Sequence, residues 1–214
     1  MVESFKFLSI YILPLSILIP VIAGIIRYRS LTFPLRLIFY MMVIYAIMNG
    51  VSSVISSHHK SVSLSSDILV LFDFPIISIF YMLILTKKWK TPILIVAAVY
   101  VLFWVADLFI EKNNGLYIYP PIFESIFIML YAIVYMNQQT QANIDKSWSE
   151  NPYNWINSGL LIYFAATFLM FAFYNTMINM HLNMKVFIMF WSINDIALIT
   201  EFVLFAISFN KSRP

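Results

Sequence analysis

The sequence predicts an all-α polytopic membrane protein, a seven-helix transmembrane bundle with its N-terminus outside and its C-terminus inside, and three observations carry that reading. First, apolar runs fill the chain: 62% of its 214 residues are hydrophobic and only 11% are charged. Seven of the runs reach the roughly 20 residues needed to cross a bilayer core, near 7–26, 34–56, 64–85, 91–110, 120–138, 155–178 and 186–209. Second, the basic residues alternate from one gap to the next. Arg27, Arg29, Arg36, Lys87, Lys88, Lys90, Lys146, Lys211 and Arg213 gather after the first, third and fifth spans and in the C-terminal tail, against Lys6, Lys60, Lys112 and Lys185 in the other set. Basic residues are retained on the cytoplasmic side, so this bias orients the bundle. Third, little chain is left between the spans, which makes residues 1–214 a single transmembrane domain with no room for a soluble one.

Taken in order, the first span is expected to be retained. Its apolar stretch is long for a signal peptide, it lacks a small-x-small cleavage site, and Arg27-Tyr28-Arg29 follows as a stop-transfer flank. The second span carries Tyr45, Asn49, Ser52, Ser53 and Ser56 at three- and four-residue steps, one stripe of a helix. In the third, Asp67 and Asp73 are followed by Pro75, which breaks the helical hydrogen-bond ladder. Tyr100, Trp104, Asp107 and Glu111 share one register in the fourth; Glu124, Tyr131, Tyr135 and Gln138 share one in the fifth. The longest gap, Gln139 to Asn154, is polar and expected in the cytoplasm. In the seventh span Asn194 and Glu201 stand two turns apart, nearly superposed. Trp89, Tyr117, Tyr119, Trp148, Tyr153 and Trp155 sit where interfacial aromatic belts are expected. With only four Gly, the bundle is expected to pack through bulky side chains more than through close backbone contacts.

The candidate site lies in the polar residues inside the spans. Asp67, Asp73, Asp107, Glu124, Asp195 and Glu201 have no Lys or Arg at mid-span to pair with. A carboxylate at the bilayer centre costs about 2.5–3.5 kcal/mol on insertion scales, so such residues face the bundle interior and mark function by default. Combined with the stripes, they nominate Asn49, Ser52, Asp73, Asp107, Glu124, Tyr131, Asn194, Asp195 and Glu201 as ligand- or proton-binding residues around a shared electronegative cavity. The plainer reading of each carboxyl is a neutral group hydrogen-bonded to a neighbouring helix.

Several chemistries are excluded. The absence of Cys removes disulfides and thiolate metal sites. His58, His59 and His181 fall in gaps and lack the helical i, i+4 spacing of a rigid zinc site, so no metal is expected. A retinal Schiff base needs a Lys inside the last span, and Lys185 and Lys211 flank it instead. No Gly-rich phosphate loop or nucleophile elbow is present, so no catalytic residue and no cofactor is assigned. The net charge of +3 follows from residues at the lipid headgroups, not from nucleic-acid binding.

Residues 67–74 match residues 195–202 in the spacing of two acids and a following Phe, and Asn49 and Asn175 hold comparable places in the second and sixth spans. That is weak internal symmetry of the kind found in carriers with two parallel three-helix units and a linking helix, the SWEET arrangement. Separately, the stretch from Asn151 to Phe164, with Ile12-Leu13-Pro14 and the Arg27-Tyr28-Arg29 flank, resembles a group of small uncharacterised seven-helix membrane proteins of Bacteroidetes. The resemblance implies placement in the bacterial inner (cytoplasmic) membrane and carries no catalytic motif. The expected function is a non-enzymatic sensory or interaction module with a polar, acidic intramembrane pocket, its partners the lipid bilayer and a membrane signalling protein. The alternative is a small-solute or cation carrier using protonatable carboxylates, with an intramembrane hydrolase behind both.

Overall fold

The computed structural model describes residues 7–57, 63–110, 119–142, 147–180 and 183–212, and the side chains of 53–70, 107–110, 142, 175, 178 and 179 also lie outside the description. The described chain is helical almost throughout, with no strand among the described residues. Helix α1, Leu8–Ser30, is irregular: a π turn over Leu8–Ile12 leads into Leu13–Ser16 and Leu18–Arg27 and closes in a 3-10 turn, Tyr28–Ser30. Pro14 lacks the N–H that would continue the α ladder, which accounts for the wider turn before it. The remaining helices are α2 (Phe33–Ser57), α3 (Ser63–Ile84), α4 (Lys90–Ile110), α5 (Tyr119–Ala142), α6 (Pro152–Asn179) and α7 (Met184–Lys211). Short 3-10 turns, Lys87–Trp89 and Trp148–Glu150, precede α4 and α6. Asn183 caps α7 by accepting the Lys185 N–H at 3.0 Å.

Among the described residues, six helices are long and apolar enough to cross a membrane: α1, α2, α4, α5, α6 and α7. Within α3 the described apolar stretch is the shorter Leu71–Ile84. Outer faces are strongly apolar: Ile22, Ile26, Leu94, Leu102 and Leu169 are all exposed, as lipid contact requires. Each helix packs on the next, α6 on α7 most extensively, and α1 packs on α7 to close the bundle. Because α3 also touches α5 directly, α4 stands outside that pair. It buries one stripe, Ile93, Tyr100 and Trp104, and exposes most of the rest of its described length.

Glycine matters more to this packing than its scarcity suggests. A Cβ on Gly24 would meet the Phe39 ring at 2.2 Å, and one on Gly159 would meet the Phe205 ring at 3.0 Å. Both are points where an aromatic ring of a neighbouring helix rests on backbone, α2 on α1 and α7 on α6. Hydrogen bonds gather four helices and the α1–α2 and α3–α4 loops at one end of the bundle. The Thr32 and Tyr153 hydroxyls are 2.9 Å apart, the Thr86 N–H donates to Gln138 Oε1 at 3.2 Å, Ser208 Oγ donates to the Pro152 carbonyl at 2.8 Å, and Ser212 Oγ donates to the Ser30 carbonyl at 2.6 Å. Arg27, Arg29, Arg36, Lys87, Lys88, Lys90 and Lys211 all belong to this end, called the basic end below.

Candidate functional site

Asp73 of α3, Glu124 of α5 and Glu201 of α7 reach the bundle interior at one level. Glu124 and Glu201 are 4% and 3% exposed, while Asp73 is half-buried with its Oδ1 enclosed. The three are close enough for each pair to interact electrostatically. Tyrosines surround them. The Tyr100 hydroxyl points at Glu124 Oε2 at 3.5 Å, and the Tyr45 hydroxyl serves Asp73. Phe74, next to Asp73 and fully buried, fixes this arrangement by wedging between helices: its ring lies 4.5 Å from that of Tyr100 and 6.3 Å from that of Tyr131. The described Lys and Arg all lie towards helix ends, so none enters the interior here. Nor do the described Asp and Glu converge in any group of three that could hold a metal ion.

Four polar atoms at and just below this level are enclosed and unpaired: Asp73 Oδ1, Glu124 Oε1, Ser78 Oγ and the Tyr131 hydroxyl. Ser78 and Tyr131 face each other without good hydrogen-bond geometry. All four come from α3 and α5. Each unsatisfied buried group costs about 1–3 kcal/mol, so the α3–α5 contact holds polarity that packing alone does not account for. On the α2 side, Asp73 lines a groove of about 240 Å³ with Met41, Ile44, Tyr45, Met48, Phe72 and Ile76.

Towards the basic end the same helices carry a different polar set. Tyr81 donates to Asn157 Oδ1 at 2.9 Å, and Asn157 Nδ2 donates to the Ala132 carbonyl at 3.4 Å. Tyr135 donates to Asn154 Oδ1 at 2.9 Å, and Asn154 Nδ2 donates to the Trp148 carbonyl at 2.8 Å. Asn151 donates to the Tyr135 hydroxyl at 3.3 Å and to Gln139 Oε1 at 3.2 Å, while Trp155 Nε1 donates to the Ser149 carbonyl at 3.0 Å. These bonds pin the 147–151 segment onto α5 and α6 beneath a cavity of about 630 Å³ lined by Gln139, Thr140, Glu150, Asn151, Asn154 and Asn157, among others.

The nine nominated residues separate on this geometry. Asp73, Glu124 and Glu201 come together with Tyr131 beside them. Asp195 accepts a hydrogen bond from Ser9 of α1, and Asn194 accepts one from Thr167 at 2.9 Å, so both tie helices together. Ser52 is half-buried and Asn49 is exposed. The side chains of Asp67, Asp107 and Asn175, and all of Glu111, Tyr117, His58, His59 and His181, lie outside the described residues. The amide network of Asn151, Asn154 and Asn157 was not nominated, although three Asn at three-residue steps entering an apolar span are a readable signal.

No protein-family model matches the chain, and neither a curated protein nor a solved structure is detectably similar to it.

Proposed function

We propose that the chain is a non-enzymatic sensory or interaction module of a bacterial inner membrane, crossing it seven times with α3 as the third crossing and the basic end in the cytoplasm. Occupancy at the Asp73–Glu124–Glu201 level is the input, and the hydrogen-bonded 147–151 segment is the output surface offered to a membrane partner. The observation that carries the reading is the unpaired polarity of α3 and α5: the other end of α5 holds that segment through Tyr135, and α3 is tied through Tyr81 to Asn157 of α6, the helix on which the segment also rests. A change at the acid level therefore acts on helices that end at the output. The nine-to-four bias of basic residues supports the orientation.

Two measurements test this. In nanodiscs, nitroxide labels at Gln141→Cys and Ser149→Cys are expected to report a changed distance distribution when Asp73→Asn or Glu124→Gln is introduced; identical distributions would sink the coupling. In intact cells, Ser147→Cys is expected to be shielded from an impermeant thiol reagent and Ser61→Cys labelled, and the reverse pattern would invert the topology.

The carrier is kept as a second reading because Pro75, inside the continuous helix α3, removes one hydrogen bond of its ladder two residues after Asp73, beside unpaired interior atoms. It requires pH-driven solute uptake by the wild type that vanishes in Glu201→Gln. The sensory reading expects a stable Glu201→Gln and no uptake.

A further inference from the structure

We propose that the junction of α1 and α2 at the basic end binds an anionic phospholipid, with Arg36 and the paired hydroxyls of Tyr28 and Tyr40 holding its phosphate. Arg36 stands in the first turn of α2, and its guanidinium carbon lies 5.3 Å from the centre of the Tyr28 ring at the end of α1. Stacking on a ring orients a guanidinium without neutralising it. Arg36 Nε is enclosed and unpaired, and no described carboxylate pairs with the group. The charge therefore has no counterpart among the described residues. Beside it the Tyr28 and Tyr40 hydroxyls hydrogen-bond each other, and Arg36 is close enough to Tyr40 to act on it electrostatically. Two hydroxyls that share one hydrogen bond leave one O–H still to donate. A phosphate answers both groups at once: its oxygens match the planar fork of the guanidinium and accept the remaining O–H.

The surroundings select a lipid over a soluble anion. On the same two helices Ile22, Ile26 and Phe33 face outward, Ile26 at 72% and Phe33 at 62% exposed. In a bilayer such a surface is covered by acyl chains, so an anion that reaches Arg36 and lies against these side chains carries an apolar tail. Charge selects an anionic headgroup over a zwitterionic one. Arg27 and Arg29 flank Tyr28 on either side, and the sequence holds no Asp or Glu between Glu3 and Asp67, so nothing local offsets the three arginines. None of these residues belongs to the Asp73–Glu124–Glu201 level, and loss of lipid binding would leave the sensory reading standing.

The probe is radiolabelled dioleoylphosphatidylglycerol, titrated into the full chain in dodecylmaltoside micelles. Saturable binding is expected, displaced by unlabelled phosphatidylglycerol but not by phosphatidylcholine or glycerol phosphate at equal concentration. Arg36→Gln is expected to weaken it about fivefold or more, because it removes a charge-assisted pair with the phosphate. Tyr28→Leu keeps every charge and removes the ring and its hydroxyl, and it is expected to weaken binding about threefold. Lys87→Gln deletes a charge at the same end, in the loop between α3 and α4, and is expected to leave affinity within about twofold of the wild type. Absence of saturable binding, equal competition by phosphatidylcholine, unchanged affinity in Arg36→Gln, or an equal loss in Lys87→Gln would each overturn the proposal. Displacement by glycerol phosphate would make the occupant a soluble anion and overturn it too. If Arg36→Gln does not fold, unchanged affinity in Tyr28→Leu overturns it alone.

Discussion

Tyr131 and Tyr135 stand one turn apart on α5, 5% and 1% exposed, and their hydroxyls meet opposite circumstances. Tyr135 donates to Asn154 and accepts from Asn151, part of a set of amides and hydroxyls at the basic end that largely satisfy one another. Tyr131 has an enclosed hydroxyl with no partner, as do Ser78, Asp73 Oδ1 and Glu124 Oε1 around it. Both regions are polar and interior. The difference teaches that polarity within an apolar bundle has two uses: where atoms pair it fastens helices, and where they do not it is retained at a cost that stability does not repay.

The widest break in that contrast is Asn157→Leu, which turns a paired site into an unpaired one. It strands the Tyr81 hydroxyl and removes a donor from the Ala132 carbonyl. A loss of about 2 kcal/mol is expected, because stranding a buried polar partner costs about 1–3 kcal/mol. Unfolding in bicelles with increasing denaturing detergent measures it, and a neutral outcome would mean that the basic end is not a fastening.

How much of this was legible in the sequence differs between the two regions. Six of the seven expected segments appear among the described residues as helices long and apolar enough to cross a membrane, because a run of about 20 apolar residues has few other ways to satisfy its backbone. Asp73, Glu124 and Glu201 were visible because a carboxyl stands out in an apolar background. Asp195 stood out equally, yet Ser9, 186 residues away, makes it a tie between α1 and α7, and no local pattern contains that contact. Likewise Asn157 gains its meaning from Tyr81, 76 residues distant. Asn49 is exposed although Tyr45, one turn earlier on the same stripe, reaches Asp73: helical periodicity groups residues on a face, while the neighbours decide how deeply each is covered. Four Gly suggested packing by large side chains, yet Gly24 and Gly159 are where such side chains, Phe39 and Phe205, reach a neighbouring backbone.

A smaller effect is expected from Tyr135→Phe. It deletes one hydroxyl that both donates and accepts, and leaves the ring in place. Asn154 keeps its bond to the Trp148 carbonyl, and Asn151 keeps Gln139. The expected loss is about 1 kcal/mol, within the range of single hydrogen bonds between membrane helices. In the same bicelle titration it should fall between Asn157→Leu and the wild type. A loss as large as that of Asn157→Leu would mean that the amides act as one cooperative unit.

The smallest effect, and the sharpest use of the contrast, belongs to Tyr131→Phe. The substitution is chemically identical to Tyr135→Phe and sits one turn away, so ring size, helix propensity and depth are nearly matched. Here the deleted hydroxyl has no partner, and its removal relieves an unsatisfied group while the ring keeps its place against Phe74 at 6.3 Å and Tyr81 at 5.5 Å. Stability is expected within about 0.5 kcal/mol of the wild type, or above it. Ser78→Ala serves as the matching probe from α3. If each variant alone costs as much as Tyr135→Phe, the two hydroxyls are paired and the row is another fastening. If both are neutral while the nitroxide distances across Gln141 and Ser149 shift, the unpaired row is kept for what it transmits and not for what it holds.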